Sequence, residues 1–260
     1  MNKKIFIIGL LLLMISYSGI KIFAIDNLIF QPNLNGSIEN DHIPPQQKND
    51  PSNNPIIGPI KRTKAGKAII TQPTSKLVLV NKNRALPADF RPTNLTIPNI
   101  PFPFEENVPK KQVRPIVAQA LEKLFTQAKQ ENIKLAGISG YRSYQRQKNI
   151  FNYNVRRKGK KEANKTSAQP GESEHQTGLA IDVSSPKINY QLIEKFGETK
   201  AGKWLANNAS KYGFIIRYPK AKKRITGYQY EPWHLRYVGR KHALKISSNN
   251  LTLEQYLQQG

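Results

Sequence analysis

Residues 173–182 read SEHQTGLAID, and the run continues as VSS to Ser185. From Leu179 onward the side chains alternate, with Leu179, Ile181 and Val183 on one face and Ala180 and Asp182 on the other. That is the period of a β-strand. An acid on such a strand needs a partner, because burying an unpaired charge is expensive. A metal ion is one such partner and an arginine is the other. His175 sits in the loop entering the strand and can turn back towards Asp182, with Gly178 permitting the turn.

Downstream, GYQYEPWHLRYVG (227–239) holds a second pair of polar groups, Glu231 and His234. Three residues of extended chain span about 10 Å and end on opposite faces. Convergence of the two on one ion therefore requires a bend near Pro232, whose ring fixes φ and removes an N–H. His234 then opens the strand HLRYV, with Trp233 and Leu235 packing behind it. GFIIRY (213–218) reads as a further strand.

Upstream, KLAGISGYRS (134–143) reads as a strand running into a turn, and Ser143 as the N-cap of a helix carrying Tyr144, Ile150, Phe151 and Val155. Arg156 to Glu174 is basic, polar and interrupted by Gly and Pro, so a long loop is expected there. Val113 to Glu131 is the clearest helix, with Val113, Val117, Ala120, Leu121, Leu124, Phe125 and Ala128 on one face. Leu77 to Val80 reads as a short strand, Arg91 to Pro109 as an extended arm and Gly202–Tyr212 as a helix. A short closing helix is expected after Ser247. Irregularly alternating helices and strands with no repeat predict one α+β domain over 76–260, with a small antiparallel sheet and flanking helices.

The rest of the chain is of another kind. Residues 1–24 begin with Lys3 and Lys4, followed by 13 apolar, small or hydroxyl side chains from Ile5 to Tyr17, as in an export signal. The alternative is an uncleaved membrane anchor over Ile5–Phe23, just long enough for a hydrocarbon core of about 30 Å. Both place the remainder outside the cytoplasm. Residues 25–75 hold seven prolines and seven asparagines without an apolar period, which predicts a disordered linker in which His42 is solvated.

Composition narrows the chemistry. With no cysteine, disulfides, thiolate metal sites, cysteine nucleophiles and a lipidated N-terminal cysteine are excluded, so any metal must rest on His, Asp or Glu. Lys and Arg outnumber acids 41 to 17, a formal charge of +24. The cations are scattered and no nucleic-acid-binding motif accompanies them. They suit attraction to anionic wall polymers, and no nucleic-acid partner is expected.

His175, Asp182 and His234 make three zinc ligands and leave a fourth position for water, whose pKa zinc lowers while Glu231 acts as general base. The bland alternative is an ordinary ion pair for Asp182 and two satisfied core histidines. The segments SGYRS (139–143), SEHQTGLAID and GYQYEPWHLRYVG, with the opening LVNKNRALPADFRPTNL (79–95), resemble the VanY-type zinc D-alanyl-D-alanine carboxypeptidases, whose pattern is S-x-H-x-x-G-x-A-x-D followed by E-x-W-H. That resemblance implies a zinc site at the sheet held by His175, Asp182 and His234, with Glu231 as base. It implies that Arg142 steadies the substrate carbonyl as its oxygen becomes negative, with Ser173, Gln147 and Tyr141 as weaker substrate-contact candidates. The implied function is an exported, monomeric enzyme that removes the terminal D-Ala from peptidoglycan stem peptides by Glu-assisted attack of zinc-bound water. Alternatives are an L,D-carboxypeptidase on tetrapeptide stems, a wall endopeptidase and, last, a non-enzymatic wall-binding module.

Overall fold

The structure, a computed structural model, describes residues 60–62 and 68–259. The expected leader over 1–24 and most of the expected linker, including His42, lie outside the described residues. The chain order is β1 (Ile60–Arg62), β2 (Ala68–Ile70), β3 (Arg84–Ala85), α1 (Pro115–Gln130), β4 (Ala136–Ser139), α2 (Tyr144–Thr166), β5 (Ala180–Ser184), α3 (Lys200–Asn208), β6 (Phe214–Tyr218), α4 (Lys223–Thr226), β7 (Glu231–Tyr237), α5 (Arg240–Ser248) and α6 (Leu253–Leu257). The α+β class with a small antiparallel sheet and flanking helices is as expected. β4, β5, β7 and β6 form that sheet in this order, every pair antiparallel.

Alternation divides the sheet into two unlike faces. Ile181, Val183, Phe214 and Leu235 pack with Val117, Leu121, Leu124 and Phe125 of α1 and Leu205 of α3 in the main core. α1 presents the expected stripe, and Pro115 stands in its first turn, where no N–H is needed. The opposite face carries Asp182 and His234, which are direct cross-strand partners, then Arg236 and Arg217. A second cluster lies beyond it, in which Ile215 meets Ala243 and Ile246 of α5 and Leu253 and Leu257 of α6. α6 begins with a capping box made by Thr252 and Gln255.

Three segments depart from the sequence reading. Leu77–Val80 is buried but forms no strand. The carbonyls of Lys76 and Val78 accept instead from Nη2 of Arg236, at 2.9 and 2.8 Å, so a side chain takes the place of a neighbouring strand. The loop expected from Arg156 is helical as far as Thr166, broken only at Gly159 with φ 77° and ψ 158°. Only Gln147, Phe151 and Ala163 of α2 are buried, so the helix lacks the apolar stripe by which a sequence reveals one. Ordered backbone also begins upstream of residue 76, where the sequence reading starts the domain. β2 pairs with both β1 and β3, Ile70 enters the main core, and Arg114 donates to the carbonyls of Thr74 and Pro73.

Ile70 has no exposed surface. Ile70→Ala is therefore expected to lower the unfolding free energy by about 2–5 kcal/mol in a denaturant titration. A loss below 1 kcal/mol would mean that this N-terminal strand is not part of the core.

Candidate active site

Two turns and two strands bring the polar groups together. The 3-10 turn Glu174–Thr177 ends at Gly178, which lies in the left-handed region at φ 66°, where a side chain is strained and its Cβ would press on Leu95. This turn folds His175 back over β5, and Nε2 of His175 comes within 3.4 Å of Asp182 Oδ2. Nδ1 of His175 lies 2.8 Å from the carbonyl of Gly140. A carbonyl only accepts, so Nδ1 carries the proton and the Nε2 lone pair faces Asp182. Gly140 is itself wedged against the backbone of Lys110 and Gln112, where no Cβ would fit.

On β7 the expected bend is a register shift. Between the pairs Ile216↔Leu235 and Tyr218↔Glu231, three residues of β7 (232–234) lie opposite Arg217 alone, a bulge that Pro232 suits because it has no N–H to pair. The bulge turns Glu231 and His234 to the same side, with Glu231 Oε2 3.8 Å from His234 Nδ1. That nitrogen also lies 3.1 Å from Asp182 Oδ1. The two imidazoles meet edge to face at 4.9 Å between centroids. One ligand atom from each of His175, Asp182 and His234 falls within 4.8 Å of the others, and all three residues are buried. Two imidazole nitrogens and one carboxylate oxygen converging on one point suit zinc, which takes such donors at about 2.0–2.2 Å.

The charges are set by these neighbours. Burial alone would raise the Asp182 carboxyl, but the two histidines outweigh it and hold Asp182 well below the usual carboxylate range. The histidines move oppositely although both touch Asp182. Burial, assisted by nearby Arg142, lowers His175. Burial also opposes the charged form of His234, yet bonds to Asp182 and Glu174 push it up to about 9. Glu231 is pushed up to about 7, chiefly by burial. A base that titrates near neutrality is matched to proton transfer there.

These groups line a cleft of about 240 Å³ that also includes Arg142, Ser173, Leu192, Tyr218, Tyr228 and Trp233. A larger hollow of about 640 Å³ lies between α1 and residues 99–102 and holds none of this chemistry. Arg142 donates from Nη1 to Gln147 Oε1 at 2.9 Å and from Nη2 to Ser139 Oγ at 3.2 Å, with Nη2 4.0 Å from Asp182 Oδ2. The expected contacts Gln147 and Tyr141 do not line the cleft. Gln147 is buried, and its amide is spent on Arg142 and on the carbonyl of Ala168. Tyr141 is buried and its N–H donates to Gln112. Of the two, Gln147 braces Arg142 from α2.

Residues 110–240 match the family model VanY, D-alanyl-D-alanine carboxypeptidase. Over 193 residues the chain is 53% identical to the putative carboxypeptidase YodJ of Bacillus subtilis (strain 168), covering 74% of this chain and 71% of that one. The chain belongs to the VanY family. Among solved structures, the LdcB LD-carboxypeptidase superposes with a TM-score of 0.75 at 52% identity, over 78% of this chain and 94% of that one. The Zn(II) complex of the vancomycin-resistance D,D-pentapeptidase VanY gives 0.58 at 33%, over 70% and 98%. As a family member the chain is a zinc carboxypeptidase, a hydrolase, and His175, Asp182 and His234 are the donors that fit the ion.

Sequence reasoning passed over Glu174, Arg217 and Arg236. Glu174 stands between Ser173 and His175 of the motif, and Arg217 and Arg236 lie within strands read from their apolar residues alone. All three are buried. Asp182→Ala removes one of three donors, so the purified variant should retain no stoichiometric zinc by atomic absorption after dialysis. Tyr141→Phe should retain it. Full zinc content in Asp182→Ala would place the ion elsewhere.

Proposed function

We propose that the protein is an exported zinc L,D-carboxypeptidase that removes the terminal D-alanine from tetrapeptide stems of peptidoglycan. The observation that carries this choice is the closeness of the LdcB LD-carboxypeptidase, at 52% identity and a TM-score of 0.75, against 33% and 0.58 for the D,D-pentapeptidase. The sequence reading put pentapeptide stems first, and that D,D activity is the second reading, favoured by the family model. Both are the same hydrolysis at a C-terminal D-alanine. They differ in the residue presented on the acyl side.

When bound, zinc supplies the Lewis acid that makes water a nucleophile at neutral pH. The half-buried Glu231 takes the proton from the attacking water as its oxygen bonds to the scissile carbonyl carbon. The Arg142 guanidinium, braced by Gln147 and Ser139, offers fixed charged donors where that carbonyl oxygen becomes negative. As the C–N bond breaks, Glu231 passes the proton to the leaving amine, which departs as D-alanine. Ser173, lining the cleft, offers a hydroxyl donor to the terminal carboxylate. The apolar run after Lys4 serves as an export signal or anchor. Eight exposed cations on α2 against one acid, Glu162, favour salt-dependent retention by anionic wall polymers. The enzyme acts as a monomer.

Incubation with synthetic tetrapeptide and pentapeptide stems, read by mass spectrometry, should show chelator-sensitive loss of one alanine from the tetrapeptide. Trimming of the pentapeptide alone would select the D,D reading. Glu231→Ala should keep its zinc and lose activity by about 10²–10⁴-fold. Full activity in that variant would remove Glu231 from the role of base.

A further inference from the structure

The Glu174 carboxylate is 1% exposed, and its two oxygens are used unequally. Oε1 accepts from Arg217 Nε at 2.7 Å and from Arg236 Nη1 at 2.6 Å. Two guanidiniums could have shared both oxygens, yet they converge on one. The other, Oε2, faces His234 Nε2 at 3.4 Å, and neither of these atoms has any closer polar partner among the described residues. Charge balance does not require this arrangement, since Arg217 and Arg236 are already matched by Glu174 and Glu254.

The remaining donors of both arginines are committed elsewhere. Arg217 Nη1 and Nη2 grip Glu254 of α6 at 2.9 and 2.7 Å, while Arg236 holds the carbonyls of Tyr237, Lys76 and Val78. Glu174 is therefore fixed from below, and only its Oε2 looks towards the site. On the far side of the ring, His234 Nδ1 faces Asp182. An imidazole that gives its Nδ1 lone pair to a metal must carry its proton on Nε2, and that proton needs an acceptor.

We infer that Glu174 is the positioning residue of the metal site, accepting from Nε2–H of His234 so that Nδ1 is the nitrogen turned to the ion. This rests on the reading of His175, Asp182 and His234 as the zinc donors. Its consequence is that one 3-10 turn governs both histidines: His175 reaches the ion itself, and its neighbour Glu174 sets the ring of His234. Through Arg217 and Glu254 the same carboxylate ties the metal site to the C-terminal helix α6.

The test uses the full chain and Glu174→Gln. A glutamine that turns its oxygen to the arginines presents its NH₂ to His234 Nε2, which favours the opposite tautomer and blocks Nδ1. Zinc affinity, measured by competition with a chromophoric chelator, should fall about 10–100-fold in the folded variant. Unchanged affinity in a folded Glu174→Gln would overturn the inference. If the variant does not fold, the long-range ¹H–¹⁵N spectrum of the zinc-loaded wild type decides. A protonated Nε2 with metal-bound Nδ1 on His234 supports the inference, and metal on Nε2 overturns it. A wild type that binds no zinc would overturn the donor reading itself, and this inference with it.

Discussion

The rest of the structure depends on two guanidiniums buried under one carboxylate. Arg217 and Arg236 have no exposed surface, and Glu174 closes over both. Removing one member of such a set leaves an uncompensated buried charge, which costs about 3–5 kcal/mol. The cluster therefore holds together only with all its parts in place. Those parts come from distant stretches of chain: the irregular run at 76–78, the turn at 174–177, strands β6 and β7, and α6. The charged cluster thus ties the run at 76–78 and helix α6 to the middle of the chain, alongside the apolar contacts that Val78 and Val80 make in the main core and that Leu77 and Leu79 make with α5 and α6.

A sheet buried on both faces usually reads as a continuous apolar run. Here one face is apolar and packs on α1 and α3, while the other is a polar interior whose charges are mutually satisfied. That second face lets a metal site sit within the protein and still open to a cleft. Asp182 and His234 meet because β5 and β7 place them in direct cross-strand register, and the bulge at 232–234 turns Glu231 to the same side. Burial in this setting gives each carboxylate a different character. Asp182 stays ionised beside two imidazoles, which suits it to a cation, whereas Glu231, with less support, is drawn towards neutrality, which suits it to exchanging a proton.

The sequence by itself determined what local periodicity and short motifs encode. These include the α1 stripe, the alternation of β5, the turn at Gly178, the bend at Pro232, and the His175–Asp182–His234 and Glu231 set with its family pattern. Each of these features, and each of the two short motifs that hold the histidines, is a local pattern in which a side chain's position follows from its spacing. Tertiary structure alone decided the rest. It made α2 a helix past Arg156 without an apolar stripe, and it supplied Arg236 as the partner of a would-be strand at 77–80. It turned Gln147 inward to brace Arg142, and it buried Glu174, Arg217 and Arg236 against one another. For Glu174, Arg217, Arg236 and the run at 77–80, the partner that gives the residue its meaning lies 43 to 160 residues away. A charged side chain looks the same in sequence whether water or another buried charge will satisfy it.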